Sequence, residues 1–519
     1  YFRSLKDFGS ITLTSAKEDG IMTLAWILFG LYLIGTSYLG WLGHRKTDGF
    51  SSFAIGKGDL SPVVVGVTLA ASTASAATFI INPGFVYVDG LAAFMHLGIA
   101  VYLGFLLMLW ILSFRFRRMG DEMGALTIPD WIGKRYGSQG FSIYFSILNL
   151  LGFAFVVLLV GGISIVMQSL LGISNVAALL ITLIFVTSYV FLGGTYAHVF
   201  TNMLQGSLMI GVSILIVGSG IVLMMKDGSD VTSQLEAAGP HLLDWINPEG
   251  KLFNNFFSIY IAGFCIGGAL VCQPHILTKA LYVKTDKAVK RYIWVFTIVY
   301  FLFTLLLLTG FWAHVAVPAE LLNDPQTGQF RQDLVMTTYL QQVFPEWVFT
   351  VISIVLLAAA MSTLDGLLVG ISTITANDLV LPLLDRFRRR VYSLEEKMRL
   401  AFRASHVVLI LIAIFTFWID LNPPKLLGIF GQVGVYGLVL AAVPPLLVGV
   451  LFKKASLTIV WLGSILSMGT HFGLYFLGDQ WFPNSPFTFS NPGVTAALGI
   501  LIGLSPTLIG SLIYKNSKT

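Results

Sequence analysis

Apolar runs of about 20 residues recur along this chain from Ile21 almost to its C-terminal end, each long enough to cross a hydrocarbon layer of about 30 Å as a helix. Backbone in lipid must satisfy its own hydrogen bonds, so a chain with many such runs is committed to a bundle of spanning helices. The 56 % hydrophobic and 11 % charged residues leave little material for a soluble fold, and no polar stretch is long enough to build one. The expected fold is therefore all-α transmembrane, one transporter-like domain over residues 1–519, embedded in a lipid bilayer.

The runs predict about thirteen spans. The first is about Ile21–Gly43, followed by about Pro62–Ile81, Gly90–Phe114, Phe141–Leu171, Asn175–Leu192 and Val199–Met225. The seventh and eighth are about Phe256–Leu281 and Tyr292–Val315, and the ninth, about Trp347–Leu384, is long for one crossing. Four more lie near His406–Ile419, Leu426–Leu451, Leu457–Leu477 and Gly493–Tyr514. Charge orients them. With the N-terminus outside, about 24 of the 31 Lys and Arg fall in inward loops, Lys279 among them, as cytoplasmic loops require. The expectation is a multi-pass protein of the cell membrane with its C-terminus in the cytoplasm. The net charge of +5 is thereby explained by topology, and no nucleic-acid partner is implied.

Two spans look interrupted. The second carries Ser72, Thr73, Ser75 and Thr78 among small residues before Asn82-Pro83-Gly84, and the seventh carries Gly263, Gly267 and Gly268 before Gln273-Pro274. Interrupted helices at corresponding positions of two halves point to a binding site in a transporter with inverted repeats. Asp365 is the one carboxylate well inside an apolar run, and Ser362 and Thr363 lie within about one turn of it. Oxygen donors of this kind suit a hard cation such as Na⁺. Asp378 is expected to anchor the cytoplasmic end of its helix near Arg386 and Arg388–Arg390. His96, His198 and His275 lie near span ends without metal-ligand spacing, so they read as satisfied polar groups and no transition metal is expected. Cys265 and Cys272 sit two turns apart as small core residues. No phosphate loop, dinucleotide fingerprint or nucleophile elbow is present, so no enzyme is expected.

At this point the chain resembles the sodium:solute symporter family, the sodium-coupled sugar, proline, pantothenate, sialic acid and monocarboxylate carriers. The stretches that carry the resemblance are Ala70–Phe79 with Pro83-Gly84, Gly193-Gly194 with Thr201–Gln205, Gln273–Lys279, and Ala360–Asp365 with Asn377-Asp378-Leu379. The resemblance implies a leucine-transporter-type core of two inverted five-helix repeats at about 62–451. One extra helix at 21–43 would precede it, and two at about 457–514 would follow. It also implies a sodium site made of the carbonyls of Ala71, Ala74 and Ala359 and the hydroxyls of Ser362 and Thr363.

Two departures from the family pattern bear on function. Asn202 stands where members with a second cation site have Asp, and Asp365 where some have a hydroxyl. Asp365 with Asn202, Ser362 nearby, is therefore expected to form a second cation or proton site. The polar ligands of sugar carriers are missing at Ala77, Thr78 and Ala269, whereas Thr73, Ser75 and Thr78 match hydroxyls that hold a carboxylate in sialic acid carriers. The expected substrate is a small carboxylate or amino acid, with Gln273 and Gln432 as further contacts. The expected function is sodium-driven uptake by alternating access, with Na⁺ as coupling ion and no other cofactor. A proton-coupled symporter is the main variant. A non-transporting solute sensor is the reading from another class, set aside because no signalling domain follows Lys515–Thr519.

Overall fold

A computed structural model describes residues 15–75, 77–227, 231–323, 328–387, 392–422 and 427–517. The helices that matter here are, in chain order, α1 (Ser15–Lys46), α2 (Pro62–Thr73), α3 (Asn82–Phe94), α4 (Val101–Met123) and α5 (Gln139–Asn149). They continue with α6 (Phe153–Leu171), α7 (Asn175–Asp227), α8 (Ala262–Leu270), α9 (Pro274–Leu277) and α10 (Asp286–Thr304). The last five are α11 (Glu346–Ile374), α12 (Leu394–Asp420), α13 (Leu427–Leu451), α14 (Leu457–Trp481) and α15 (Pro492–Ser517).

Ten helices among the described residues are long and apolar enough to cross a bilayer, or eleven if a bent pair counts as one span. The expected number was about thirteen, and the expectation split into two spans a stretch that the structure holds as one bent helix. In α7, 53 residues long, Gly194 has φ 48° and ψ −128°. The helix is about 80 Å of chain at 1.5 Å per residue, which exceeds one crossing twofold. Gly194 is where it turns, and only glycine adopts that backbone without strain. Gly43 explains why α1 lies so close to α7: a Cβ there would be 2.4 Å from the Ala197 amide nitrogen.

The helix at the centre is α11. Its apolar residues divide between two clusters. Ile352, Val355, Leu356 and Ala359 join one with α2, α4, α10 and α13. Leu357, Ala360, Met361, Leu364 and Leu368 join the other with α1, α6, α7 and α12. A helix apolar all round is one surrounded by others. By contrast α1 exposes Ile27, Leu31, Ile34 and Tyr38, and α12 exposes Val407, Ile410, Ile414 and Trp418. Those are lipid-facing rims, and they place α11 with its buried carboxylate, Asp365, in the interior.

Both interruptions foreseen in the sequence are present. Pro62 sits at the first position of α2, where its missing amide costs nothing. The helix then stops at Thr73, and the chain resumes as a π-helical turn from Ala77 to Ile81. The second break parts Phe257–Leu270 from Pro274–Tyr282 with a bend of 65°. There Gln273 takes an extended backbone (φ −64°, ψ 137°), as a residue before proline must. Asp378 has a described tether. Its carboxylate accepts a 2.6 Å bond from the Thr127 hydroxyl, while the side chain of Arg386 and residues 388–390 lie outside the described residues.

Candidate functional site

Where α2 unwinds, its carbonyls lose their helical amides. The Ser75 amide turns to the Thr73 carbonyl at 3.2 Å, so the Ala71 carbonyl is left for another donor. Ser362, fully buried on α11, supplies it. Its Oγ lies 2.9 Å from the Ala71 carbonyl and 2.7 Å from that of Ala359. Thr363 Oγ1 reaches the next carbonyl of the break, Ser72, at 3.2 Å. Ala74 directly follows α2, fully buried, with its amide on Ala70 at 2.9 Å. Thus Ala71, Ala359 and Ser362 converge directly, and Thr363 and Ala74 flank them along the same break. The Ala71 and Ala359 carbonyls and the Ser362 hydroxyl form an all-oxygen cluster of the kind a hard monovalent cation takes, and Thr363 meets the adjacent Ser72 carbonyl. A hydroxyl that donates to a carbonyl can rotate its proton outward and turn lone pairs to an ion instead.

One turn further along α11, the Asp365 carboxylate faces α7. It accepts 2.8 Å from His198 Nδ1, 3.1 Å from the Tyr189 hydroxyl and 3.1 Å from the Thr201 hydroxyl. The pairing expected with Asn202 is not formed. Asn202 Nδ2 donates instead to Ser72 Oγ at 2.9 Å and to the Ser362 carbonyl at 2.8 Å, so it braces the oxygen cluster rather than the carboxylate. His198 lies just past the Gly194 bend, 1 % exposed, where the turn of α7 brings it against α11.

Lys279 departs furthest from expectation. Counted by sequence among cytoplasmic loop cations, it is fully buried beside the second break. Its Nζ donates to the His275 carbonyl at 2.6 Å and to Ser72 Oγ at 3.2 Å. Ser72 thus receives both Asn202 and Lys279, and it ties the first break to the second. A charge in this setting needs a countercharge, and Asp365 is fully buried as well, though its bonds go to His198, Tyr189 and Thr201 and none to Lys279. Formally the two cancel. Gln205, next along α7, donates 2.7 Å to the Tyr32 hydroxyl of α1, which in turn points to Met361 Sδ at 3.3 Å. The helix preceding the core is in this way attached to α11.

The candidate substrate ligands are dispersed. Thr73 back-bonds to the Leu69 carbonyl at 2.7 Å, a common use of a helical hydroxyl. The Ser75 carbonyl closes the break by accepting the Thr78 amide at 3.0 Å. Gln273 Nε2 donates 3.2 Å to the Leu270 carbonyl, and its side chain lines a cavity with Asn149, His275, Gly370 and Leu438. Asn149, at the end of α5, has its amide nitrogen buried without a partner. The signal for it was available as a lone amide in the first half of an apolar run. Gln432 has its side chain outside the described residues. No group of His, Cys, Asp and Glu able to hold a transition metal occurs among the described residues.

Comparison with known proteins follows this geometry. Residues 53–465 match the sodium:solute symporter family. The sodium/pantothenate symporter of Haemophilus influenzae is 27 % identical over 463 residues, covering 88 % of this chain and 91 % of that protein. Sodium/proline symporter 2 of Staphylococcus saprophyticus is 24 % identical over 485 residues, covering 87 % and 89 %. Among solved structures, a Na⁺-coupled sialic acid symporter in a substrate-bound outward-open state superposes with a TM-score of 0.73 at 16 % identity, covering 94 % of this chain and 97 % of that one. At that identity the likeness establishes a shared fold, an all-α multi-pass membrane architecture related to the inverted-repeat transporters.

Proposed function

Because this chain belongs to the sodium:solute symporter family, we propose that it couples inward sodium flow to uptake of a small organic carboxylate by alternating access. That it is a sodium-coupled secondary transporter of a small organic solute, and not an enzyme, follows from the family itself. The seat we assign to the ion is the carbonyls of Ala71, Ala74 and Ala359 with the hydroxyls of Ser362 and Thr363. The observation that carries this reading is the freed Ala71 carbonyl meeting Ser362 Oγ at 2.9 Å, with Ala359 at 2.7 Å. An ion shared between α2 and α11 would hold the outward-open arrangement. The solute would then complete the space between the two breaks, and inward opening would part the ligands and release both.

Charge supports a carboxylate. With Asp365 and Lys279 cancelling, one bound Na⁺ leaves the interior with a surplus positive charge, which an anionic solute offsets. The pantothenate and proline named for the relatives both carry a carboxylate, and pantothenate is the net anion of the two. We read Asp365 as the countercharge of Lys279, since its carboxylate is already engaged by His198, Tyr189 and Thr201 and Asn202 by Ser72 and Ser362. We also read the chain as crossing the cell membrane about thirteen times with its N-terminus outside. Supporting this are the bend at Gly194, between two expected spans, and the bend at Gly90 (φ 60°), where an expected span begins.

Uptake into proteoliposomes, with labelled pantothenate, proline and short monocarboxylates and with Na⁺, K⁺ and pH varied independently, tests the reading. Uptake should follow the sodium gradient, and Ser362→Ala or Thr363→Val should raise the sodium half-saturation about tenfold or more, as expected for loss of a ligand to a charged group. Unchanged sodium dependence in both variants would remove the assigned seat. Counterflow of labelled solute separates a carrier from a sensor.

A further inference from the structure

A second cavity lies beside the one lined by Gln273 and Asn149, and the two share Pro274, His275 and Gly370 as a common wall. His198, Thr127, Thr278 and Gly366 line the second. Two of its hydroxyls are committed: Thr127 donates to Asp378 and Thr373 to the Val369 carbonyl. His198 Nε2 is buried with no hydrogen-bond partner, an arrangement that costs free energy unless something fills it. Its tautomer is fixed by the other edge of the ring. One Asp365 oxygen takes the Tyr189 hydroxyl, and the other, as a carboxylate oxygen that can only accept, takes Nδ1–H. The neutral imidazole then carries its lone pair at Nε2. Gly366 keeps that edge open, because a Cβ there would stand 3.0 Å from His198 Cε1 and 3.5 Å from Nε2.

The two cavities therefore offer opposite chemistry. Asn149 presents an unpartnered amide donor to the first, and His198 presents an unpartnered acceptor to the second. We propose that the second cavity is a further station for the transported solute, at which His198 Nε2 accepts a hydrogen bond from an N–H or O–H of that solute. The class of substrate narrows accordingly to carboxylates that also carry a hydroxyl, ammonium or amide hydrogen. This rests on the transport reading above and adds to it the chemistry of the solute's other end.

The test uses the full chain in lipid nanodiscs with Na⁺ and two probes that differ in one group, N-acetyl-β-alanine and 5-oxohexanoate, in which CH₂ replaces N–H. Calorimetric titration of the wild type should favour the amide about tenfold, the usual worth of one hydrogen bond to a buried acceptor. In His198→Asn the amide nitrogen still donates to Asp365 but nothing replaces Nε2, so the preference should vanish while affinity for the ketone holds. Gly366→Ala places a methyl group over the free ring edge and leaves the Asp365 bond intact. It should cut the preference at least threefold, and it carries the test alone if His198→Asn does not fold. Equal wild-type affinities, binding of neither probe, or an undiminished preference in folded variants would each overturn the proposal. Sodium-driven uptake is measured separately. Uptake without the preference removes this station only, whereas the preference without uptake removes the transport reading.

Discussion

The two interrupted helices both break among small residues, yet they present different chemistry. At the first break the polar groups are backbone carbonyls and short hydroxyls, all turned to one another and to α11 through Ser362 and Thr363. No formal charge sits in that cluster. At the second break a proline and an extended Gln273 open a 65° bend. Around it lie a buried lysine, unpartnered amide and imidazole nitrogens, and two small cavities. One break is closed by hydrogen-bonded oxygens, while the other is bordered by a buried lysine and two small cavities. On the proposed reading the ion belongs to the first and most of the solute to the second, with Ser72 joining them through Asn202 and Lys279.

The sharpest way to break this division is to remove its countercharge. Asp365→Leu leaves Lys279 buried and unpaired, which should cost about 3–5 kcal/mol and lower the melting temperature of the purified protein or prevent its recovery. Adding Lys279→Met should restore much of the loss. Asp365→Asn keeps a polar group for His198, so the protein should fold but show altered ion coupling. Single and double variants with identical melting curves would mean that the two charges do not serve each other. Next in size is Gly194→Ala. The residue has φ 48°, and a Cβ would lie 2.5 Å from the Phe53 ring, so a loss of about 1–3 kcal/mol is expected from backbone strain and overlap. Because α7 carries Asn202 to the first break and His198 to the second, sodium and solute half-saturation should both rise. A change in only one would show that the bend positions a single break.

These residues also mark how far the sequence reaches. Ser362, Thr363 and Asp365 could be picked out because polarity in a long apolar run is costly, and Ala71 and Ala359 followed from the family resemblance. Lys279 and His198 could not. Lys279 follows an apolar run and so reads as a loop cation. Only the bend at Gln273-Pro274, which turns the chain back inward, shows that it is interior. His198 reads as a span-end residue because hydropathy cannot tell a helix that stops at Gly194 from one that bends there and continues. The pairing of Asp365 with His198 rather than Asn202 depends on which face of α7 meets α11. That is set by the rotation of α7 after its bend, for which the sequence carries no separate signal. The same bends lowered the number of separate helices without shortening the apolar chain.

Smaller effects sharpen the assignment of solute to the second break. Gln273→Ala and Asn149→Ala should each raise the solute half-saturation in uptake about tenfold, the scale of one lost hydrogen bond, and leave sodium half-saturation within about twofold. The reverse pattern is expected of Ser362→Ala. If Gln273→Ala moved sodium as strongly as solute, the two breaks would form one undivided site.

The smallest effect is expected at Thr73, where the structure and the family resemblance point in different directions. By position its hydroxyl matches a carboxylate ligand of sialic acid carriers, and it lies in the last turn of α2 next to the unwound segment. Its Oγ1 nonetheless donates to the Leu69 carbonyl at 2.7 Å. To bind a solute oxygen it would have to give up that bond, and the exchange of one hydrogen bond for another yields little net free energy. Thr73→Val keeps the branched shape and removes only the hydroxyl. Its solute half-saturation should therefore stay within about threefold of the wild type, against the tenfold of Gln273→Ala. A tenfold or greater rise at Thr73 in the same uptake measurement would show that the hydroxyl leaves Leu69 when solute arrives, and that the first break holds the carboxylate as well as the ion.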